Sequence, residues 1–366
     1  MGVRRLIVGF AGTSRYKIPF QPPESLPMMK TSLTAFLVLV ASSAFAQSQQ
    51  QLADYLKRHP DADVNGDGRL TREEAREHRR RDPSRGDNLA SVSAIPAINI
   101  PLAKAPLTQV SLKSADGVDL SFAYRTPQGD GPFPTIVFFH GGGGQSNLQG
   151  LKNNLLNGVV QTRFLQKGYV TVQSTRRPFW KTKDAGKPTG FYDAVGDAAL
   201  VVEKVRALPA VDPHRVILYG GSGGGILAIV TASKAEVACV VAGEPATVVP
   251  IDPRTGQAAG PADYRKLMEH PAQKYTPERQ KEMRAWMKVI DCPVLVLQGK
   301  PVGLYRTNFE ILIPEMQELG RDISSISYPG VTHGFYWGTA KTGATLQTVE
   351  RLVQDVDAFI GKHTRK

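Results

Sequence analysis

Nine residues, Val216-Ile217-Leu218-Tyr219-Gly220-Gly221-Ser222-Gly223-Gly224, restrict what this chain can fold into more than any other feature. Four apolar residues read as a buried strand. Four glycines around one serine read as a turn too sharp to tolerate neighbouring side chains, and the apolar Ile226–Val230 after it reads as a helix. A strand that passes straight into a helix belongs in a parallel sheet whose faces are covered by helices. The turn lifts the Ser222 hydroxyl off the sheet edge. Behind it a helix N-terminus offers amides, Gly223 N–H foremost, to a developing negative charge. Such a turn can instead cradle phosphate, but neither G-x-x-x-x-G-K-[ST] nor G-x-G-x-x-G is present here.

Around this turn the chain alternates. Apolar runs at Gln109–Lys113, Val118–Tyr124, Thr135–Phe139, Tyr169–Gln173, Val216–Tyr219, Val237–Val241, Val294–Leu297 and Ile323–Tyr328 predict strands. Ala115-Asp116-Gly117 marks a hairpin between the first two. Helical patterns fall at about 149–167, 193–208, 223–234, 307–319 and 344–361. A hairpin followed by this alternation predicts an α/β domain over 106–366, with a mostly parallel sheet and helices on both faces.

The chain ahead of that domain differs in kind. Its 366 residues leave room for one large domain and a small appendage. Met29-Lys30, the apolar Leu33–Val40, and Ala44-Phe45-Ala46 before Gln47 follow the order of a secretory signal. The apolar run is too short for a bilayer, which needs about 20 residues. Residues 29–46 are therefore expected to be cleaved, and residues 1–28 to be an over-extended N-terminus. The mature chain, secreted or periplasmic, would begin at Gln47. Residues 1–46 hold five bases and one acid, so cleavage takes the net charge from +12 to +8. Bases and aromatic residues do not interleave along any element, so nucleic-acid binding is not expected.

Residues 47–81 contain a helix followed by Asp63-Val64-Asn65-Gly66-Asp67-Gly68-Arg69-Leu70-Thr71-Arg72-Glu73-Glu74. This spacing matches an EF-hand loop, whose tight turn aims several hard oxygens at one calcium ion. The expected ligands are Asp63, Asn65, Asp67, the Arg69 carbonyl, Thr71 and Glu74, with calcium in a structural role. Residues 82–105, rich in Pro, Ser, Ala and Asn, are expected to be a linker. Two cysteines, Cys239 and Cys292, are too few for a disulfide scaffold or a four-cysteine zinc site. A disulfide between them is permitted by the compartment but not implied by their spacing.

Two further segments carry chemistry. His140-Gly141-Gly142-Gly143 follows the third strand, where its amides could supply a second donor to an oxyanion; His140 itself reads as an anchor rather than a base. Tyr328-Pro329-Gly330-Val331-Thr332-His333-Gly334-Phe335 puts His333 just past the last strand. It lies downstream of Ser222, in the chain order of a nucleophile–acid–base hydrolase.

On these motifs, residues from about 107 to 362 resemble the α/β-hydrolase fold, most closely its dienelactone hydrolase and prolyl-oligopeptidase branch. Val202–Arg215, with its Ala-Leu-Pro-Ala-Val-Asp-Pro-His-Arg segment, and Tyr328–Phe335 are similar to that group. The resemblance implies Ser222 as nucleophile, His333 as general base, and Gly223 with Gly141 or Gly142 as oxyanion donors. It also implies an acid in a Gly-x-x-Asp pattern after Val294–Leu297. This chain instead reads Gln298-Gly299-Lys300-Pro301-Val302-Gly303, without a carboxylate. Some relatives carry the acid after the preceding strand, where Val241-Ala242-Gly243-Glu244-Pro245 offers Glu244; the other reading of Glu244 is an ordinary loop residue.

Phe179, Trp180, Phe191, Tyr192, Phe335, Tyr336 and Trp337 are candidates for a pocket wall or for core packing. Arg176 and Arg177 could meet a substrate carboxylate or sit on the surface, and 253–288 could form a partial lid. The expected activity is hydrolysis of a small-molecule, polysaccharide or polyester ester, with no cofactor for catalysis. A peptidase using the same machinery is the nearest alternative, and a catalytically silent binding module is the alternative from another class.

Overall fold

The computed structural model describes residues 95–142, 147–177, 190–252 and 266–364, together with scattered positions between 52 and 74. The expected signal segment, Asn65, and Phe179 with Trp180 lie outside the described residues. The chain divides into two units, one up to Asn88 and one from Leu89 onward.

In the larger unit eight strands form one sheet: β1 Leu107–Lys113, β2 Asp119–Arg125, β3 Phe133–Phe139, β4 Val170–Ser174, β5 Val211–Gly221, β6 Cys239–Gly243, β7 Val294–Gln298 and β8 Ile323–Ser327. Their spatial order is β1-β2-β4-β3-β5-β6-β7-β8. The β1–β2 and β2–β4 pairs are antiparallel, and every pairing from β4 through β8 is parallel. The eight elements coincide with the eight predicted runs. β5 is the longest because it starts at Val211, which pairs with Phe133 ahead of the regular register.

The helices among the described residues include α1 Leu148–Asn157, α2 Val159–Gln166, α3 Phe191–Arg206, α4 Gly223–Thr231, α5 Val248–Ile251, α6 Pro277–Met287, α7 Ile313–Glu318 and α8 Leu346–Thr364. Alternation along each strand sends side chains to opposite faces. Val240, Ala242, Val294 and Val296 pack with α3, α4 and α6. Cys239, Val241, Leu295 and Leu297 pack with α2 and α8 on the other face. In α8, Val349, Leu352, Val353, Val356 and Ile360 are buried, the stripe of a helix lying on a core. α4 is buried all round, as its uniformly apolar sequence requires.

Cys239 points into one face of the sheet and Cys292 packs in the cluster on the other; both are free and buried. Burial raises the pKa of each thiol, that of Cys292 to about 12.

Residues 95–105, expected as the end of a linker, are tied to the larger unit. Ile98 N–H donates to Thr162 Oγ1 at 3.0 Å, and Arg163 Nη1 donates to the Pro96 carbonyl at 3.0 Å. Arg125, fully buried on β2, donates to the carbonyls of Ile100 and Ala105 at 2.6 and 3.0 Å.

Candidate active site

Ser222 sits between β5 and α4 with φ 54° and ψ −121°, a strained conformation for a residue with a Cβ. Its surroundings hold it there. The Ser222 N–H donates to the Gly243 carbonyl at 2.8 Å, and the Ser222 carbonyl accepts from Gly225 and Ala246, each at 2.9 Å. The flanking glycines are required by close approach. A Cβ on Gly220 would run into the Gly224 carbonyl, and one on Gly224 into the Phe139 carbonyl.

The end of β3 borders this turn. A Cβ on Gly141 would lie 3.0 Å from the Gly221 carbonyl and 3.2 Å from Ser222 Cβ, so a side chain there would crowd the serine turn. The carbonyls of this loop are held from one side. His140 Nδ1 bonds to the Gly141 carbonyl at 2.8 Å, and Arg176 Nη2 donates to the Gly142 carbonyl at 2.6 Å. A trans peptide directs its N–H opposite to its C=O, so the Gly142 N–H points away from His140. Burial first, and the Arg176 charge second, hold the His140 pKa down at about 4. His140 is therefore a neutral donor to backbone, consistent with an anchor.

The histidine and the acid meet across the other side. Glu244 follows β6, with φ 40°, and is 3% exposed. Its Oε2 lies 2.7 Å from His333 Nδ1. Its Oε1 accepts from Gln298 Nε2 at 3.0 Å and from the Gly299 N–H at 3.1 Å. Gly299 has no room for a side chain: a Cβ there would fall 2.8 Å from the Val331 carbonyl and 3.1 Å from Glu244 Oε1. Charge-assisted bonds of this kind are roughly twice as strong as neutral ones. The His333 side chain remains half exposed, open to a reacting molecule.

Sequence reasoning missed what lies on the other imidazole nitrogen. Tyr336 Oη is 3.2 Å from His333 Nε2. The tyrosine ring lies where a side chain at Gly221 or Gly243 would otherwise be. Its spacing three residues after His333, opposite two glycines, was the available signal.

The two arginines turn inward. Arg177 is 3% exposed, and its guanidinium meets Asp197 at 2.5 and 2.7 Å and Asp116 at 2.8 Å twice. These bonds push the pKa of Arg177 up and that of Asp116 down, while burial raises that of Asp197. Phe191 and Phe335 are core residues. Trp337 is half-buried and, with His140, Asn157, Gln161, Gln173 and Lys341, lines a cleft of about 530 Å³.

The sheet order, the strained serine between β5 and α4, and a histidine after β8 decide the architecture. The chain has the α/β-hydrolase fold. The sequence model of a family described as BD-FAE matches residues 123–292. Brefeldin A esterase, described as a bacterial homologue of human hormone-sensitive lipase, superposes with a TM-score of 0.52 at 20% identity, covering 77% of this chain and 84% of that one. Thermogutta terrifontis esterase 2, phosphonylated by sarin, gives 0.51 at 20% identity over 70% of this chain and 95% of its own. A Bacteroides ovatus protein assigned as a dipeptidyl aminopeptidase IV gives 0.52 at 19% identity over 71% of this chain but 36% of its own.

In the N-terminal unit, the Gly68 N–H donates to Asp63 Oδ2 at 2.8 Å, with Gly68 at φ 77°, and the Arg69 N–H donates to Asp67 Oδ1 at 2.8 Å. Thr71 and Glu74 bond reciprocally, Thr71 N–H to Glu74 Oε2 at 2.9 Å and Glu74 N–H to Thr71 Oγ1 at 3.1 Å, a helix-capping box. Leu52 and Leu56 pack on Ala62 and Leu70. Among the described residues no group of three or more His, Cys, Asp or Glu side chains is placed to hold a metal ion. Among the described residues no helix is long and apolar enough to cross a membrane.

Proposed function

We propose that this chain is a secreted or periplasmic serine hydrolase that cleaves carboxylic esters through an acyl-enzyme on Ser222. The observation that carries this reading is the 2.7 Å Glu244–His333 contact beside a strained, glycine-flanked serine. A carboxylate oxygen only accepts, so His333 Nδ1 holds the hydrogen and Nε2 keeps its lone pair. Ser222 Oγ bonds to the carbonyl carbon as its proton passes to Nε2. The carbonyl π pair moves onto oxygen, toward the amides of Gly223 and of the Gly141–Gly142 segment. Collapse breaks the carbon–oxygen bond of the leaving group, which takes the Nε2 proton. Water repeats the sequence and frees the acid.

Ester cleavage is favoured over peptide cleavage by the neighbours. The esterases are matched over 84% and 95% of their chains, the aminopeptidase over 36% of its own. In the N-terminal unit, Asp63, Asn65, Asp67, Arg69, Thr71 and Glu74 would hold calcium, which would brace that unit and take no part in the chemistry.

Fluorophosphonate labelling of the chain from Gln47, with mass mapping, tests the serine. An adduct on Ser222, absent from Ser222→Ala, is expected. No adduct on folded protein would overturn the hydrolase reading in favour of a silent binding module.

A further inference from the structure

Glu244 is held from backbone to carboxylate by the end of β7. Its N–H donates to the Leu297 carbonyl at 2.9 Å, and its Oε1 accepts from Gln298 Nε2 at 3.0 Å and from the Gly299 N–H at 3.1 Å. Three consecutive residues thus fix one residue whose φ, 40°, is rare for a side chain with a Cβ. Gln298 is itself fixed. Its carbonyl accepts from the Tyr328 N–H at 2.7 Å, and its Nε2 also donates to the Lys300 carbonyl at 3.3 Å. The Lys300 N–H donates in turn to the Val331 carbonyl at 2.9 Å, on the loop that carries His333.

Gln298 is 1% exposed and follows the apolar Val294–Leu297 on a buried strand. Its amide offers hydrogens from nitrogen and lone pairs from oxygen. Turned the other way, the amide oxygen would face Glu244 Oε1, acceptor against acceptor with no hydrogen between them. Nε2 therefore faces the carboxylate. In that orientation Gln298 Oε1 is buried without a hydrogen-bond partner among the described residues, an arrangement that costs stability. An apolar side chain would avoid that cost. What the glutamine adds is a donor to Glu244.

We propose that Gln298 is a positioning residue for ester cleavage: by engaging Oε1 it turns Oε2 onto His333 Nδ1, and it acts on the reaction only through Glu244. The inference rests on the esterase reading above. The last torsion of a glutamate is broad, so a carboxylate with one partner can swing. Two donors on Oε1 remove that freedom and leave Oε2 at 2.7 Å from Nδ1. The imidazole is then oriented before substrate arrives. No proton passes through Gln298.

Two variants test this. Gln298→Met keeps the volume without a donor, and Gln298→Asn, one methylene shorter, draws the amide back from Oε1. For Gln298→Met we expect kcat on an ester to fall about 10–100-fold with KM within about 3-fold, the scale of one hydrogen bond to a charged group. In a Glu244→Gln background the same substitution should cost less than about 2-fold more, because its route to His333 is already gone. The acid limb of the kcat/KM profile should also move. Activity is lost as pH falls and the Glu244–His333 pair takes up a proton. A carboxylate deprived of a donor favours that uptake, so the limb moves to higher pH in both variants. The other titratable groups around the pair are Tyr336, whose Oη is 3.2 Å from His333 Nε2, and the exposed Lys300 beside Gly299; neither is altered.

Full losses in both backgrounds with an unmoved acid limb would make Gln298 a packing residue and overturn the proposal. If the methionine chain fails to fold, an unmoved limb in folded Gln298→Asn would overturn it equally. A wild-type chain with no turnover and no Ser222 adduct would instead remove the esterase reading beneath it.

Discussion

The Glu244 carboxylate has three partners: His333 on one oxygen, and Gln298 with the Gly299 amide on the other. Its task in the proposed triad is to hold one imidazole tautomer and stabilise the imidazolium. Glu244→Gln keeps the volume but presents an amide whose nitrogen cannot accept from Nδ1–H. We expect kcat to fall by ~10³–10⁴, on the scale of triad acids, with the fold retained by circular dichroism. A loss of only a few-fold in steady-state assays would remove Glu244 from the site. At this scale the sequence was most informative where chemistry forces a local pattern. Ser222 stands in a turn that only glycines can flank, and His333 ends a strand-to-loop signature. Glu244 was legible only as a carboxylate in the right gap, because its partners Gln298 and Gly299 arrive from the next strand. Arg176, Arg177 and Tyr336 were not legible as what they are. Surface, ligand site and interior look alike for an arginine until the carbonyls and carboxylates around it are placed.

At the scale of elements, Arg125 decides how the chain enters the domain. It is fully buried on β2 and spends its donors on the carbonyls of Ile100 and Ala105. Burial lowers its pKa, the mark of a cation in an apolar setting. Arg125→Met replaces the stem with a similar volume but leaves two carbonyls without their donor. At roughly 1–3 kcal/mol for each buried group left unsatisfied, urea unfolding should lose about 2–6 kcal/mol. Limited proteolysis should then cut within 95–105 first. An unchanged unfolding midpoint would mean that this stretch contributes nothing to the domain. The strands themselves were readable because β-branched, apolar runs bounded by glycine and proline have few alternatives. The helix expected over 149–167 is instead two, broken at Gly158, where a Cβ would run into Gln161 and the Asn154 carbonyl. The segment expected as one helix over 307–319 contains a π turn, Asn308–Leu312. Apolar periodicity tolerates both irregularities, since each adds or removes less than one turn.

For the molecule as a whole, the same half-buried histidine that anchors the oxyanion-side loop sets an acid limit on stability. His140 titrates at about 4 when folded, against its ordinary 6.5, because burial and Arg176 penalise its charged form. The unfolded chain therefore binds a proton at His140 that the folded chain does not, between pH 6.5 and 4. Stability must fall as pH falls through that window, and His140 has no effect above it. The full shift corresponds to about 3 kcal/mol, an order-of-magnitude figure. Other groups titrate nearby with their own signs. Asp116, held low by Arg177, contributes stability that is lost only as pH falls below the ordinary aspartate range. Asp197, raised by burial, acts in the opposite direction to His140. Comparing wild type with His140→Asn cancels both. Asparagine can still donate to the Gly141 carbonyl but cannot take up a proton. Urea unfolding at pH 7 and pH 4.5 should show the wild type losing about 2–3 kcal/mol more than the variant. Parallel losses would mean that the imidazole is solvated, and that the loop before Ser222 is held by Arg176 alone.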